Sequence, residues 1–266
     1  MFAIERKQAI CEMLEMNGSV SIGELMKKFD VSVETVRRDL LQLERQGKLR
    51  RIHGGAIPHG GIKKEESLAV RIGEFEKEKE ELSETAVSLI NEDDIIAIDC
   101  GSTAIKLCEA IVGRVDSLTV LTASLDNFNI LRRNKKINVI LIGGMFDEEN
   151  NAFYGRVSLE TVRRYHVAKC FIFPYAISLK HGISGYCGQT SYMQEAMMSI
   201  SDKVIILADS NKFEKSAFEK LSDMEKSFTY VTDSGIPEVI RTEYIENGID
   251  LMVGKKGNDD EKNGEE

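Results

Sequence analysis

The sequence predicts an α/β protein in two parts, a small helical head followed by a larger region built on a mainly parallel sheet. Three observations lead there. Residues 1–57 show helical apolar spacing and hold ten Lys/Arg against eight Asp/Glu, whereas the remainder holds 25 against 36. Beyond them, seven short apolar runs alternate with segments of helical length, the pattern of repeated strand–helix–strand units. Between the two lies linker composition, with Pro58, Gly60, Gly61 and the charged run Lys63 to Glu66. The expected organisation is therefore a head at 1–57, a linker at 58–73, a sheet region at 74–254 and a polar tail at 255–266. That tail has no apolar anchor and is expected to be disordered.

Bulk composition excludes several classes. With 266 residues, 42% hydrophobic and 30% charged, the chain can bury a substantial core. No stretch approaches the roughly 18 apolar residues of a membrane span, and Glu5, Arg6 and Lys7 stand where a signal peptide would be apolar. A cytoplasmic protein with no membrane partner is expected. Cys11, Cys100, Cys108, Cys170 and Cys187 are scattered and never spaced as CxxC, so they read as free thiols. His53 and His59 lack a nearby Cys or carboxylate cluster, so no metal and no cofactor is expected.

Three helices are predicted in the head. Ile10, Met13 and Leu14 give the first its i, i+3, i+4 stripe, and Asn17-Gly18 end it. Ser21 and Glu24 form a capping box at the start of the second, whose apolar face is Ile22, Leu25, Met26 and Phe29. A turn through Asp30-Val31 leads to Ser32, a good N-cap for the third. There Val33, Val36, Leu40 and Leu43 face the core, and Gly47 stops the helix. Two extended pieces, Lys48–Ile52 and Gly54–Ile57, then turn around His53-Gly54-Gly55.

The opposite face of the third helix carries Thr35, Arg38, Gln42 and Arg45, with Arg37 at the flank. A helix entering the major groove needs such a face, since Arg pairs bidentately with guanine and Thr meets a thymine methyl. Arg37 is placed for a phosphate, and Arg50, Arg51 and His53 give the hairpin a basic wing. The same periodicity would also suit a three-helix protein-interaction module.

In the second region, a charged amphipathic helix at about 74–91 precedes the apolar runs Ile95–Asp99, Leu118–Thr122, Ile137–Ile142, Cys170–Phe173, Val204–Ala208, Phe228–Thr232 and Ile249–Val253. Helical segments fall at 103–112, 125–134, 157–165, 189–201 and 238–247. Asp99-Cys-Gly-Ser-Thr103 sits at a strand-to-helix junction, where Gly101 allows a tight turn and Ser102 and Thr103 offer hydroxyls. It serves equally as an anion site or as a plain helix cap. Other strand ends gather Thr122, Ser124, Gly143, Gly144, Asp209 and Lys212, and ligands bind at the carboxyl ends of strands in open α/β sheets.

Two long stretches carry a resemblance. Val31-Ser-Val-Glu-Thr-Val-Arg-Arg-Asp-Leu40 and Leu43-Glu-Arg-Gln-Gly-Lys-Leu-Arg-Arg-Ile-His-Gly-Gly-Ala56 closely resemble the DeoR family of bacterial sugar-metabolism regulators. The strand-end segments above, with Phe153-Tyr-Gly155 and Thr232-Asp233, resemble the sensor domain of that family, whose fold is similar to ribose-5-phosphate isomerase. The resemblance implies a winged helix-turn-helix that contacts operator DNA through Ser32, Thr35, Arg37 and Arg38, with a wing at Arg50–Gly55. It further implies that a phosphorylated sugar binds through Asp99, Gly101, Ser102, Thr103, Thr122, Ser124, Gly143, Gly144, Asp209 and Lys212. A repressor working as a homodimer or homotetramer is the expectation, two heads meeting half-sites about 34–36 Å apart.

This chain departs from the family pattern at Phe173 and Ala176, where Gly is usual, and at Ala123, where Asn is common. It also has Ser191, Gln194 and Glu195 where the family shows a Glu and then an adjacent Lys-Arg pair. Losing those cations beside a dianionic phosphate costs several kcal/mol unless another cation compensates, so a regulator with a non-phosphosugar effector is the alternative. An enzymatic alternative, a sugar-phosphate isomerase, needs a carboxylate base, for which Glu195 is the candidate. No nucleophile elbow, Walker loop or metal triad accompanies it.

Overall fold

The computed structural model describes residues 3–17, 20–52, 54–58, 67–186 and 188–255. His53, Cys187, linker residues 59–66 and tail residues 256–266 lie outside the described residues.

In the head, α1 (Ala3–Asn17), a short β1 (Val20–Ser21), α2 (Ile22–Phe29) and α3 (Val33–Arg45) are followed by β2 (Leu49–Ile52) and β3 (Gly55–Pro58). Ser21 Oγ accepts from Glu24 N at 3.1 Å and caps α2, and Asp30 turns the chain in the left-handed region (φ 50°) that Asp tolerates. The apolar stripes converge as their spacing requires: Ile10, Leu14, Leu25, Val36, Leu40 and Leu43 bury into one core with Val20, Leu49 and Ala56. Sequence reading missed β1, which adds to β3 and makes the wing a three-stranded antiparallel sheet, β1-β3-β2. Gly55 permits this, because a Cβ there would overlap the Val20 carbonyl oxygen. A buried ion pair, Arg6 Nε to Asp39 Oδ2 at 2.6 Å, ties α1 to α3.

The second region begins with α4 (Leu68–Gly73) and α5 (Glu76–Val87). Helix α4 lies within the segment read as linker, and Leu68 is buried. The chain continues through β4 (Ile95–Ile98), α6 (Ser102–Arg114), β5 (Leu118–Thr122), α7 (Leu125–Leu131), β6 (Ile137–Leu141), β7 (Met145–Asp147), β8 (Ala152–Tyr154), α8 (Arg156–Val162) and β9 (Val167–Ile172). It ends through β10 (Ala176–Ser178), β11 (Gly182–Gly185), α9 (Gln189–Ser199), β12 (Ser201–Leu207), β13 (Glu219–Ser222), β14 (Thr229–Thr232), α10 (Glu238–Glu246) and β15 (Asp250–Val253).

All seven apolar runs are strands of one sheet, ordered β15-β14-β12-β9-β4-β5-β6 and parallel throughout. Two apolar clusters cover its faces, one containing Leu82, Leu107, Ile111 and Phe171, the other Cys170, Met193, Met197 and Tyr230. Such central strands are buried on both sides, which is why they read as continuous apolar runs rather than alternating ones. Outside the main sheet stand the hairpin β7–β8 and the antiparallel sheet β10-β11-β13, neither legible in the sequence.

Strand order places the site. Chain direction across the sheet reverses between β4 and β9, which are neighbours although β5 and β6 intervene in sequence. Helix α6, which follows β4, packs in the apolar cluster of one face, and α9, which follows β9 through β10 and β11, packs in that of the other, so a crevice opens outside the carboxyl ends of the two strands. There Asp99 follows β4 and Phe173 follows β9.

Candidate DNA-binding face and effector site

Helix α3 starts at Ser32, whose Oγ accepts from Thr35 N at 3.4 Å and lies 3.0 Å from Thr35 Oγ1. Ser32 and Thr35 thus fix the first turn as well as standing on it. Arg37, Arg38, Gln42 and Arg45 are exposed, on the side away from Val36, Leu40 and Leu43. Arg37 Nη1 reaches Glu34 Oε1 at 3.2 Å, and Gln42 Oε1 accepts from Lys7 Nζ at 2.9 Å. Arg50 is exposed on β2. Its neighbour Arg51 is held to α3: backbone N and Nε donate to the two Glu44 carboxylate oxygens at 2.8 and 2.7 Å. Those bonds depress the Glu44 pKa below 4.5, the backbone bond from Arg51 contributing most. Arg51 therefore braces the wing against the recognition helix, a role beyond the backbone contact expected from sequence.

In the second region the structure separates the effector candidates. A cavity of about 190 Å³ is lined by Arg71, Glu74, Phe75, Lys79, Ser102, Tyr175, Asp209, Asn211, Lys212 and Lys215. Of the ten sequence candidates only Ser102, Asp209 and Lys212 are among these residues. Asp209 Oδ1 accepts from Asn211 N at 3.2 Å and caps a short 3-10 turn, Ser210–Lys212. Asp233 anchors that turn from β14, accepting from Ser210 N and Oγ at 2.6 and 2.9 Å. Lys212 Nζ donates to Pro174 O at 3.0 Å and lies 3.9 Å from Asp209 Oδ2.

The other candidates do not line this cavity, and several bond the surrounding scaffold. Asn127 Nδ2 donates to Asp99 O at 2.9 Å and to Thr122 Oγ1 at 3.1 Å, and Ser124 caps α7 by accepting from Asn127 N. Gly143 and Gly144 follow the edge strand β6, and a Cβ on Gly144 would collide with Ser158 Oγ. Close packing explains that glycine without a ligand. Gly101 and Thr103 open α6 without lining the cavity.

At the switch point itself three departures from the family pattern, Phe173, Ser191 and Gln194, meet. Gln194 Nε2 donates to Asp99 Oδ2 at 2.7 Å and to Phe173 O at 3.4 Å, so a neutral amide bridges the ends of β4 and β9. A crevice of only about 20 Å³ remains, lined by Arg71, Cys100, Asn150, Phe173, Tyr175, Gly185, Tyr186, Thr190, Ser191 and Gln194. Ser191 Oγ donates to Tyr186 O at 3.1 Å, and Ala176 is fully buried in β10. Glu195 is exposed and lines neither space.

Sequence reading missed Arg71, Lys79 and Lys215, which with Lys212 set four cations against the carboxylates of Glu74 and Asp209 in the larger cavity. For Lys79 a signal was present. It lies on the apolar stripe of α5 with Leu82, Ser83 and Ala86, at i+3, i+4 and i+7, and all four are buried. A charge on the inner face of a helix marks a held or functional group. Burial, and then the nearby Lys212 charge, lower the Lys79 pKa.

Comparison with known proteins gives the family. Residues 6–59 match the DeoR-like helix-turn-helix domain and residues 74–234 the DeoR C terminal sensor domain. The chain is 30% identical to the transcriptional repressor AccR of Agrobacterium fabrum, over 91% of this chain and 96% of that protein. It is also 30% identical to the HTH-type transcriptional repressor GlcR of Bacillus subtilis, over 95% and 97% of the two chains. Among solved structures it is similar to ribose 5 phosphate isomerase A from Neisseria gonorrhoeae, with a TM-score of 0.38, 19% identity, and coverage of 52% and 53%. Head and sensor together define a DNA-binding transcriptional regulator that responds to a small molecule. The chain belongs to the DeoR family.

Proposed function

We propose that the chain represses a carbohydrate-metabolism operon from the cytoplasm, and that a phosphorylated sugar in the 190 Å³ cavity releases it from its operator. The observation that carries this reading is the cavity's charge: Arg71, Lys79, Lys212 and Lys215 outnumber Glu74 and Asp209. A dianionic phosphate fits that excess, and charge-assisted bonds from Lys and Arg are the strong ones. The positive charge for the ligand comes from α4 and α5 rather than from positions 194 and 195, which do not line this cavity. Ser102 and Asn211 add polar side chains for the ligand, and Tyr175 an aromatic wall.

On the DNA side, Thr35, Arg38 and Gln42 face the bases, while Ser32, Arg37, Arg50 and Arg51 serve the backbone. Two or more copies act together, since one winged head binds modestly and linked heads multiply affinity. The sensor works by binding rather than turnover, and the exposed position of Glu195 supports this.

A thermal-shift comparison of phosphorylated and free sugars tests the effector reading. A phosphosugar that binds the folded chain at 100 times its Kd stabilises by about 2.7 kcal/mol. Equal response to a sugar and its phosphate ester would refute the phosphate assignment.

A further inference from the structure

Helices α4 and α5 meet at an elbow that forms one wall of the cationic cavity. Glu74 and Phe75 make the bend, and Phe75 sits in the left-handed region (φ 48°, ψ 43°), where non-glycine residues are rarely found. Lys79 closes it: Nζ, one turn into α5, donates to the carbonyl oxygens of both Arg71 and Glu74. On the far side, α4 is pinned to the β7–β8 turn, with Arg71 Nη2 donating to Asn150 Oδ1 at 3.0 Å and Leu68 N to Glu149 O at 3.2 Å. Arg71 lines both the cavity and the switch-point crevice. In sequence, α4 is the first helix after the segment that joins the head to the sensor.

We propose that this elbow is the sensor element: a phosphomonoester dianion in the cavity takes Arg71 and Lys79 as ligands and thereby moves α4 and the linker attached to it. The inference rests on reading the cavity as the effector site. Arg71 Nη2 donates to an amide oxygen and Lys79 Nζ to two carbonyl oxygens, acceptors that a dianion outcompetes. The exchange loosens the two bonds that hold the elbow and the one that pins Arg71 to Asn150. It therefore supplies the differential affinity between two arrangements that any ligand-driven shift requires. An uncharged sugar has no group to drive this exchange.

The test uses the full chain, inorganic phosphate as probe, and hydrogen exchange of the Leu68–Phe75 amides beside a binding titration. Phosphate is expected to raise thermal stability and to change exchange in Leu68–Phe75. Arg71→Gln is expected to bind it about tenfold more weakly, the size of one lost charged hydrogen bond, and to lose the exchange response. Arg71→Lys should recover part of both. Lys212→Met, which removes a lining cation outside the elbow, should weaken binding in the same assay. If phosphate binds and Lys212→Met weakens it, yet Arg71→Gln binds as wild type and Leu68–Phe75 exchange is unmoved, the elbow inference is overturned while the cavity reading stands. If phosphate fails to bind the wild-type chain, the cavity reading itself falls and takes the elbow with it.

Discussion

Gln194 Nε2 donates to Asp99 Oδ2 across 2.7 Å, joining two buried side chains at the point where the order of the sheet reverses. A carboxylate with 1% exposure needs donors, and here one of them is a neutral amide. Gln194→Leu is therefore expected to destabilise the chain by about 1–3 kcal/mol, the cost of a buried acceptor losing its partner. Urea denaturation measures it. Wild-type stability in that variant would show that Asp99 does not depend on Gln194.

Lys212 lines the cavity from the turn after β12, where it donates to Pro174 O. Removing its charge by Lys212→Met should weaken a bound phosphosugar by about 1.5–3 kcal/mol, the range for a charged hydrogen bond. Isothermal titration with the best ligand from the sugar-phosphate panel reads this directly. An unchanged affinity would place the anion elsewhere.

Much of this arrangement was legible in the sequence, and the physical reason differs by element. Parallel strands buried on both faces leave continuous apolar runs, so β4, β5, β6, β9, β12, β14 and β15 were all found. The hairpin β7–β8 and the sheet β10-β11-β13 are short and mixed in polarity, with no period long enough to read. Residues lining the larger cavity were legible where they sit on strand ends, as with Ser102, Asp209 and Lys212. Arg71 was hidden because α4 has six residues and follows a Gly- and Pro-containing stretch. Small hydroxyl residues at strand ends serve caps and ligands alike, so the sequence does not tell the two roles of Thr122 and Ser124 apart; both bond Asn127.

Arg38 is exposed on the outward face of α3. Arg38→Ala is expected to cost about 1–3 kcal/mol on the selected operator and to relax base preference at one position. Fluorescence anisotropy on specific and random duplexes distinguishes the roles, because equal losses on both would assign Arg38 to the phosphate backbone.

Arg51 and Glu44 couple wing to recognition helix, and the coupling is pH-dependent. Arg51 holds the Glu44 carboxyl below its ordinary 4.5, so the bond stabilises the head fully above that pH and is lost as pH falls through the depressed value. Glu44→Gln should flatten the acid limb of head stability below about pH 4.5, read by NMR or circular dichroism of the full chain. An unchanged acid limb would mean the pair contributes nothing measurable.

Gly55 lets β1 and β3 approach, since a Cβ there would overlap the Val20 carbonyl. Gly55→Ala should destabilise the head by about 1–3 kcal/mol, the usual range for overpacking. It should weaken DNA binding while leaving phosphosugar affinity intact. Loss of both would contradict a local effect on the wing.

The central claim is that a phosphosugar bound in the sensor controls the grip of the head on DNA. It is tested most directly by titrating the full chain onto a duplex enriched from random sequence, with and without the best-stabilising sugar phosphate. The account predicts salt-sensitive, sequence-specific binding, and an affinity that falls by about 5–150-fold when the phosphosugar is present, the usual span of allosteric coupling. Tight phosphosugar binding with no change in DNA affinity would contradict it.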